Sequence, residues 1–146
     1  MNRSCSRLVL DTNVVLDWLV FRDPSSQLLA AALAEQRVQW HASSQMRIEL
    51  EQVLTRPQFD RWGPDLPAIF DHWARWAHPA DDPPPAPAGL RCTDPDDQVF
   101  LDLAFALPAD ALLTRDRALL RLAGPARRRG LAVLTPEAWA RSAAAL

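Results

Sequence analysis

Four apolar segments of the chain carry a carboxylate at or near one end. They are Asp11 after Arg7-Leu8-Val9-Leu10, Glu49 within Arg47-Ile48-Glu49-Leu50, Asp97 before Gln98-Val99-Phe100-Leu101, and Asp116 after Ala111-Leu112-Leu113-Thr114-Arg115. An acid ending a wholly apolar stretch is costly unless it opens onto a crevice, is paired, or meets a cation. In an open α/β sheet the ligand crevice lies beyond the carboxyl ends of the strands, so acids placed there converge on one site. With oxygen ligands and no cysteine or histidine cluster, the matching counter-charge is Mg²⁺ or Mn²⁺, and the matching substrate is one whose phosphate the ion can share. The chemistry these residues could do is metal-dependent phosphodiester hydrolysis. Without a cation, carboxylates gathered in one crevice repel, and at least one must titrate well above its usual range. Each acid also has a plainer reading. Asp11 and Asp116 can cap the helices that follow them, Glu49 can sit on a solvated helix edge, and Asp94, Asp96 and Asp97 can oppose a helix dipole.

The elements that must position these acids follow from the pattern of apolar residues and breakers. Arg7 to Leu10 reads as a strand buried on both faces, the central one of its sheet, leading through Asp11-Thr12-Asn13 into a helix. Helical patterns cover Val14 to Phe21 and Ser25 to Gln36, the second opening on Asp23-Pro24-Ser25. Val38 to His41 is a brief strand. Ser43 or Ser44 caps a helix running to Leu54, with Met46, Leu50 and Val53 as its apolar stripe and Glu49 at the stripe's edge. Another helix spans Pro64 to Ala77. A proline-rich surface loop at about 79–95 follows, from Pro79 through Pro83-Pro84-Pro85 to Pro87, because proline lacks the N–H that either regular element requires. Asp94-Pro95-Asp96-Asp97 has the grammar of a helix start, and Phe100, Leu103, Ala104 and Leu107 give that helix its apolar face. Ala111 to Leu113 and Leu131 to Leu134 are further strands, Arg117 to Leu122 a short helix, and Pro136 to Ala145 the last helix. Strands alternating with helices predict an α/β fold in three α-β-α layers, with a central parallel sheet of four to five strands in a single domain over 1–146.

Composition excludes several alternatives. All sixteen basic residues are arginine. Without lysine there is no Walker A loop, no Schiff-base chemistry, and no phospho-receiver or haloacid-dehalogenase site, the last of which also wants an acid where Asn13 stands. A net charge of −2 gives no global attraction to nucleic acid, so any such contact must come from a local patch. Cys5 and Cys92 read as idle thiols, and His41, His72 and His78 have no metal-ligand spacing. Asp11 and Asp17 interrupt the amino-terminal apolar run, so it is neither a signal sequence nor a membrane span, and the chain reads as cytoplasmic.

Taken in order, Leu8-Val9-Leu10-Asp11-Thr12-Asn13-Val14, Glu49-Leu50 with Val53-Leu54, Asp94-Pro95-Asp96-Asp97 with Phe100-Leu101 and Ala104, and Leu113-Thr114-Arg115-Asp116 resemble a PIN domain. The likeness extends from about Leu8 to Trp139. It is greatest to the toxin branch found in bacterial toxin-antitoxin pairs, where an Arg-Pro-x-Phe segment follows the helix of the second acid, here Arg56-Pro57-Gln58-Phe59. The resemblance implies a Mg²⁺- or Mn²⁺-dependent ribonuclease with Asp11, Glu49, Asp97 and Asp116 as catalytic metal ligands. Asn13 and Thr114 would be supporting groups, Asp94 or Asp96 could replace Asp97 as the third acid, and Asp94 could also reach the site beside it. It also implies RNA as substrate, a cognate antitoxin protein, and a homodimer or higher homo-oligomer. Independently, the Trp73 and Trp76 pair beside the proline-rich loop is a candidate dimer or antitoxin surface. Leu107-Pro108-Ala109 departs from the small residues or glycine usual there and is expected to alter the rim of the site. Arg115, Arg117, Arg127, Arg128 and Arg129 are candidate RNA contacts, against the alternative of solvated helix ends. The rival reading is a catalytically silent PIN-like module that binds RNA or protein.

Overall fold

The computed structural model describes residues 6–144, with side chains to residue 142. Cys5 and the expected last-helix residue Ala145 lie outside the described residues. Five strands form one parallel sheet: β1 (Ser6–Leu10), β2 (Val38–Ser43), β3 (Ala77–Ala80), β4 (Ala111–Leu113) and β5 (Ala132–Leu134), in the order β3-β2-β1-β4-β5. β1 is central, as its composition requires. Successive strand residues point to opposite faces, and Leu8, Val9 and Leu10 are all buried, so both faces of this strand are covered. The order also places a topological switch between β1 and β4, where connections leave in opposite directions and a crevice opens. The covering helices are α1 (Thr12–Leu19), α2 (Gln27–Ala34), α3 (Ser44–Leu54), α4 (Leu66–Trp76), α5 (Gln98–Ala106), α6 (Arg117–Leu120), α7 (Ala123–Arg128) and α8 (Pro136–Ala144). They complete the three-layer α-β-α architecture. None is long and apolar enough to cross a membrane.

Two elements differ from the sequence reading. Ala77–Ala80, taken as the start of the proline-rich loop and the end of a helix, is the edge strand β3, registered on β2 through Trp40↔Ala77 and Ser43↔Ala80. An edge strand tolerates Pro79 because one side of it needs no donor, and the pairing extends β2 to Ser43. Residues after Leu122, left unassigned in the sequence, form α7. Pro125 is the third residue of that helix, inside the first turn, where N–H groups have no intrahelical partner.

The proline-rich segment is tied down by α5. Asp102 Oδ1 accepts from Ala86 N at 2.8 Å and from Gln98 Nε2 at 2.9 Å. Gln98 also accepts from Cys92 N at 2.6 Å and donates to Leu90 O at 3.0 Å. Ala86 and Leu90 are buried beneath these bonds. The anchored loop delivers Asp94 to the head of α5. Leu107-Pro108, with its peptide bond cis, lies between α5 and the start of β4, at the sheet end opposite the acids. The expectation that it shapes the rim of the site is therefore corrected.

Trp73 is core. Its ring meets the fully buried Trp40 edge to face at 4.6 Å, and Trp18 meets Trp40 from another side at 5.6 Å. Of the pair considered as a contact surface, only Trp76 is left partly exposed.

Candidate active site

The carboxyl ends of β1 and β4 place Asp11 and Asp116 close together, and one hydroxyl joins them. Asp11 N donates to Leu113 O at 3.1 Å, locking the two strand ends. Thr114 Oγ1 donates a short hydrogen bond to Asp11 Oδ2 and accepts from Asp116 N at 2.9 Å. Both acids also cap helices, so the plainer reading holds beside the chemical one. Asp11 Oδ1 accepts from Val14 N at 3.0 Å at the start of α1, and Asp116 Oδ1 accepts from Ala118 N at 2.7 Å at the start of α6. Each uses one oxygen as a cap, and the cap fixes the carboxyl's direction.

The third and fourth segments arrive from helices. A 3₁₀ turn over Pro95–Asp97, capped by Asp94 accepting from Asp96 N at 3.0 Å, leads into α5. This turn swings Asp94 and Asp97 toward Asp116, and one carboxylate oxygen from each of the three lies within 4.8 Å of the others. Asp96 sits on the exposed rim. Glu49, on α3, is anchored to the same site by Thr12, whose hydroxyl donates to Glu49 Oε2 at 2.9 Å. One cavity of about 280 Å³ is lined by Asp11, Asn13, Glu49, Asp94, Asp96, Asp97 and Asp116. The sequence left Asp94, Asp96 and Asp97 as alternatives for the third acid. The structure groups Asp94 together with Asp97 and Asp116.

Electrostatics record the crowding. Burial raises the Asp11 carboxyl to about 6, opposed by its bonds from Thr114 and Val14, with the nearby Asp116 charge adding to the rise. Asp97 is pushed up to about 8, first by burial, then by its contact with the Asp116 carboxyl and by the charges of Asp116, Asp94 and Asp11. Asp97 Oδ2 is buried and receives no N–H or O–H donor among the described residues. An acceptor oxygen in that position is satisfied by a proton shared with Asp116 or by a cation. The donor set fits a hard divalent ion.

The arginines separate into different roles. Arg115 joins three elements, with Nε on Asp17 Oδ2 at 2.7 Å, Nη1 on Glu137 Oε2 at 2.8 Å and Nη2 on Ser25 Oγ at 2.6 Å. Arg128 and Arg129 border a separate surface pocket with Gly89 and Pro125, and Arg127 is in the last turn of α7. Arg117 opens α6, next to Asp116. Arg56 and Gln58, to which the sequence reading gave no role, line the acidic cavity. Their signal was the Arg-Pro-x-Phe spacing, in which proline and a buried phenylalanine hold the segment against the end of α3.

Residues 7–118 match a family model described as PIN domain. No curated protein matches the chain. Among solved structures, a chain from the crystal structure of VapBC2 from Rickettsia felis bound to a DNA fragment from their promoter is similar in fold. It has a TM-score of 0.57 and 15% identity, covering 87% of this chain and 96% of that one.

Proposed function

Because the chain belongs to the PIN domain family, we propose that it is a metal-dependent ribonuclease that hydrolyses RNA phosphodiester bonds and serves as the toxin of a toxin-antitoxin pair. The observation that carries the reading is the meeting of acids from four separated segments at one cavity, with the buried Asp97 Oδ2 left without a donor. Asp94, Asp97 and Asp116 would hold Mg²⁺ or Mn²⁺, with Asp11 directed to the same cavity by Thr114. When bound, the ion supplies charge neutralisation and Lewis acidity toward the phosphate. The chain's own groups do the positioning. Thr114 orients two acids at once, and Thr12 holds Glu49 by one oxygen and leaves the other to accept a proton or hold a water. Asn13, lining the cavity, offers an amide to the substrate or to a neighbouring acid. Fold likeness to a VapBC2 chain supports the toxin part of the reading, as does the branch-like Arg56-Pro57-Gln58-Phe59 segment. On this reading the chain acts in the cytoplasm, pairs with a small inhibitory protein and forms a homo-oligomer.

The test combines binding, cleavage and growth. Wild-type protein is expected to melt at higher temperature with Mn²⁺ and to cleave single-stranded RNA, and inducing it should arrest growth. Asp97→Asn and Asp11→Asn should abolish cleavage and relieve the arrest. Cleavage that persists in both variants, or a wild type indifferent to Mn²⁺, would sink the assignment.

A further inference from the structure

Among the described residues, the cavity that gathers six carboxylates is lined by one cation, Arg56. Its backbone is pinned on both sides. Arg56 N donates to Val53 O at 3.1 Å beyond the end of α3, and Arg56 O accepts from Phe59 N at 3.0 Å across the turn that Pro57 begins. Phe59 is buried and stacks on Phe21 at 6.0 Å, so the segment has little freedom to swing away. The side chain, by contrast, is exposed, and its guanidinium has no hydrogen-bond or carboxylate partner among the described residues. Several arginines away from the cavity are engaged. Arg115 is held by three groups, and Arg47, Arg61 and Arg75 lie over the rings of Phe70, Trp62 and Trp76. A guanidinium beside six acids that pairs with none of them is placed for an anion brought from outside.

We propose that Arg56, with Gln58 beside it, binds a backbone phosphate of the RNA and positions the strand over the acids. This rests on the ribonuclease reading above. Even with one divalent ion bound, the cavity carries more negative than positive charge, so an approaching phosphate is repelled unless a local cation offsets that field. Arginine suits the task because its planar fork donates two parallel bonds to a phosphate.

Binding of a fluorescein-labelled short oligoribonucleotide with phosphorothioate linkages, measured by anisotropy with Mn²⁺ over a salt series, tests the assignment alongside Mn²⁺ binding followed by electron paramagnetic resonance. Arg56→Gln should leave Mn²⁺ binding unchanged, weaken oligonucleotide binding about tenfold, and reduce the log–log salt slope by about 0.7. Arg56→Lys should restore the slope but not the full affinity, which a merely structural role would not produce. Wild type that binds both probes while Arg56→Gln matches it in affinity and slope overturns the role of Arg56 alone. Wild type that binds neither probe removes the ribonuclease reading and this assignment with it.

Discussion

Asp11 is the acid most embedded in the fold, 2% exposed, and its substitution separates chemistry from stability. Asparagine keeps the acceptor that caps α1 and removes a charge that burial disfavours. A carboxyl raised from 3.8 to about 6 costs the metal-free protein about 3 kcal/mol at neutral pH when ionised. Asp11→Asn is therefore expected to melt at the same temperature as the metal-free wild type or higher, while losing cleavage and most of the Mn²⁺-dependent rise in melting temperature. Calorimetry with EDTA and with Mn²⁺ checks this, and clear destabilisation in EDTA would contradict it. Thr114 should behave oppositely. Valine in its place leaves Asp11 Oδ2 buried without its donor and frees Asp116 N, costing about 1–3 kcal/mol in urea denaturation, whereas Thr114→Ser keeps the hydroxyl and most of the stability. If Thr114→Val were as stable as Thr114→Ser, the hydroxyl bridge would have no energetic role.

The elements show which positions an isolated sequence could disclose. Gln98 and Asp102 on α5 satisfy loop N–H groups in a stretch where proline supplies none, so Gln98→Ala should cost about 1–3 kcal/mol and speed hydrogen exchange at Cys92. Exchange at Cys92 unchanged from wild type would show that the loop is held by packing alone. Nothing local in Gln98 announces this task, because its partners are six to eight residues back along an irregular segment. Strand β1 was legible because three adjacent buried apolar residues leave few alternatives, and α3 because Ser43 and the Met46, Leu50, Val53 stripe agree. Strand β3 was not, since Ala77-His78-Pro79-Ala80 lacks β-forming side chains and owes its extended form to pairing with β2. Asp11, Asp97 and Asp116 stand out in the sequence by their places at element ends, and Glu49 by its place at the edge of the α3 stripe. Which of Asp94, Asp96 and Asp97 would group stayed open, because it depends on a 3₁₀ turn that a helical wheel does not describe. Arg115 shows the converse limit. Its position beside Asp116 suggested a phosphate contact, yet its donors hold α1, the Ser25 turn and α8 together.

At the scale of the whole molecule, the acid cluster sets how stability varies with pH. Asp11 and Asp97 titrate near 6 and near 8 in the folded protein, above the ordinary value of 3.8 that each regains on unfolding. Between about pH 4 and pH 8 these two groups hold more protons in the folded state than in the unfolded state and make stability fall as pH rises, opposed in part by His41, which burial and the neighbouring His78 hold below its ordinary value. Glu137 and Asp23 are held below their ordinary values, Glu137 chiefly by Arg115 and Asp23 by hydrogen bonds from Ser25, so their contribution is lost only as pH falls through those lower values. The metal-free protein is expected to be most stable in acidic solution, near pH 4, and to weaken toward pH 8. A divalent ion replaces the protons, so Mn²⁺ should stabilise most where the metal-free protein is weakest, and its binding at pH 7 should release protons into unbuffered solution. Urea denaturation across this range, with EDTA and with Mn²⁺, measures both trends. Metal-free stability that stayed flat or rose from pH 5 to pH 8 would mean that these carboxylates are not crowded in solution, and the case for a shared cation would fail with it.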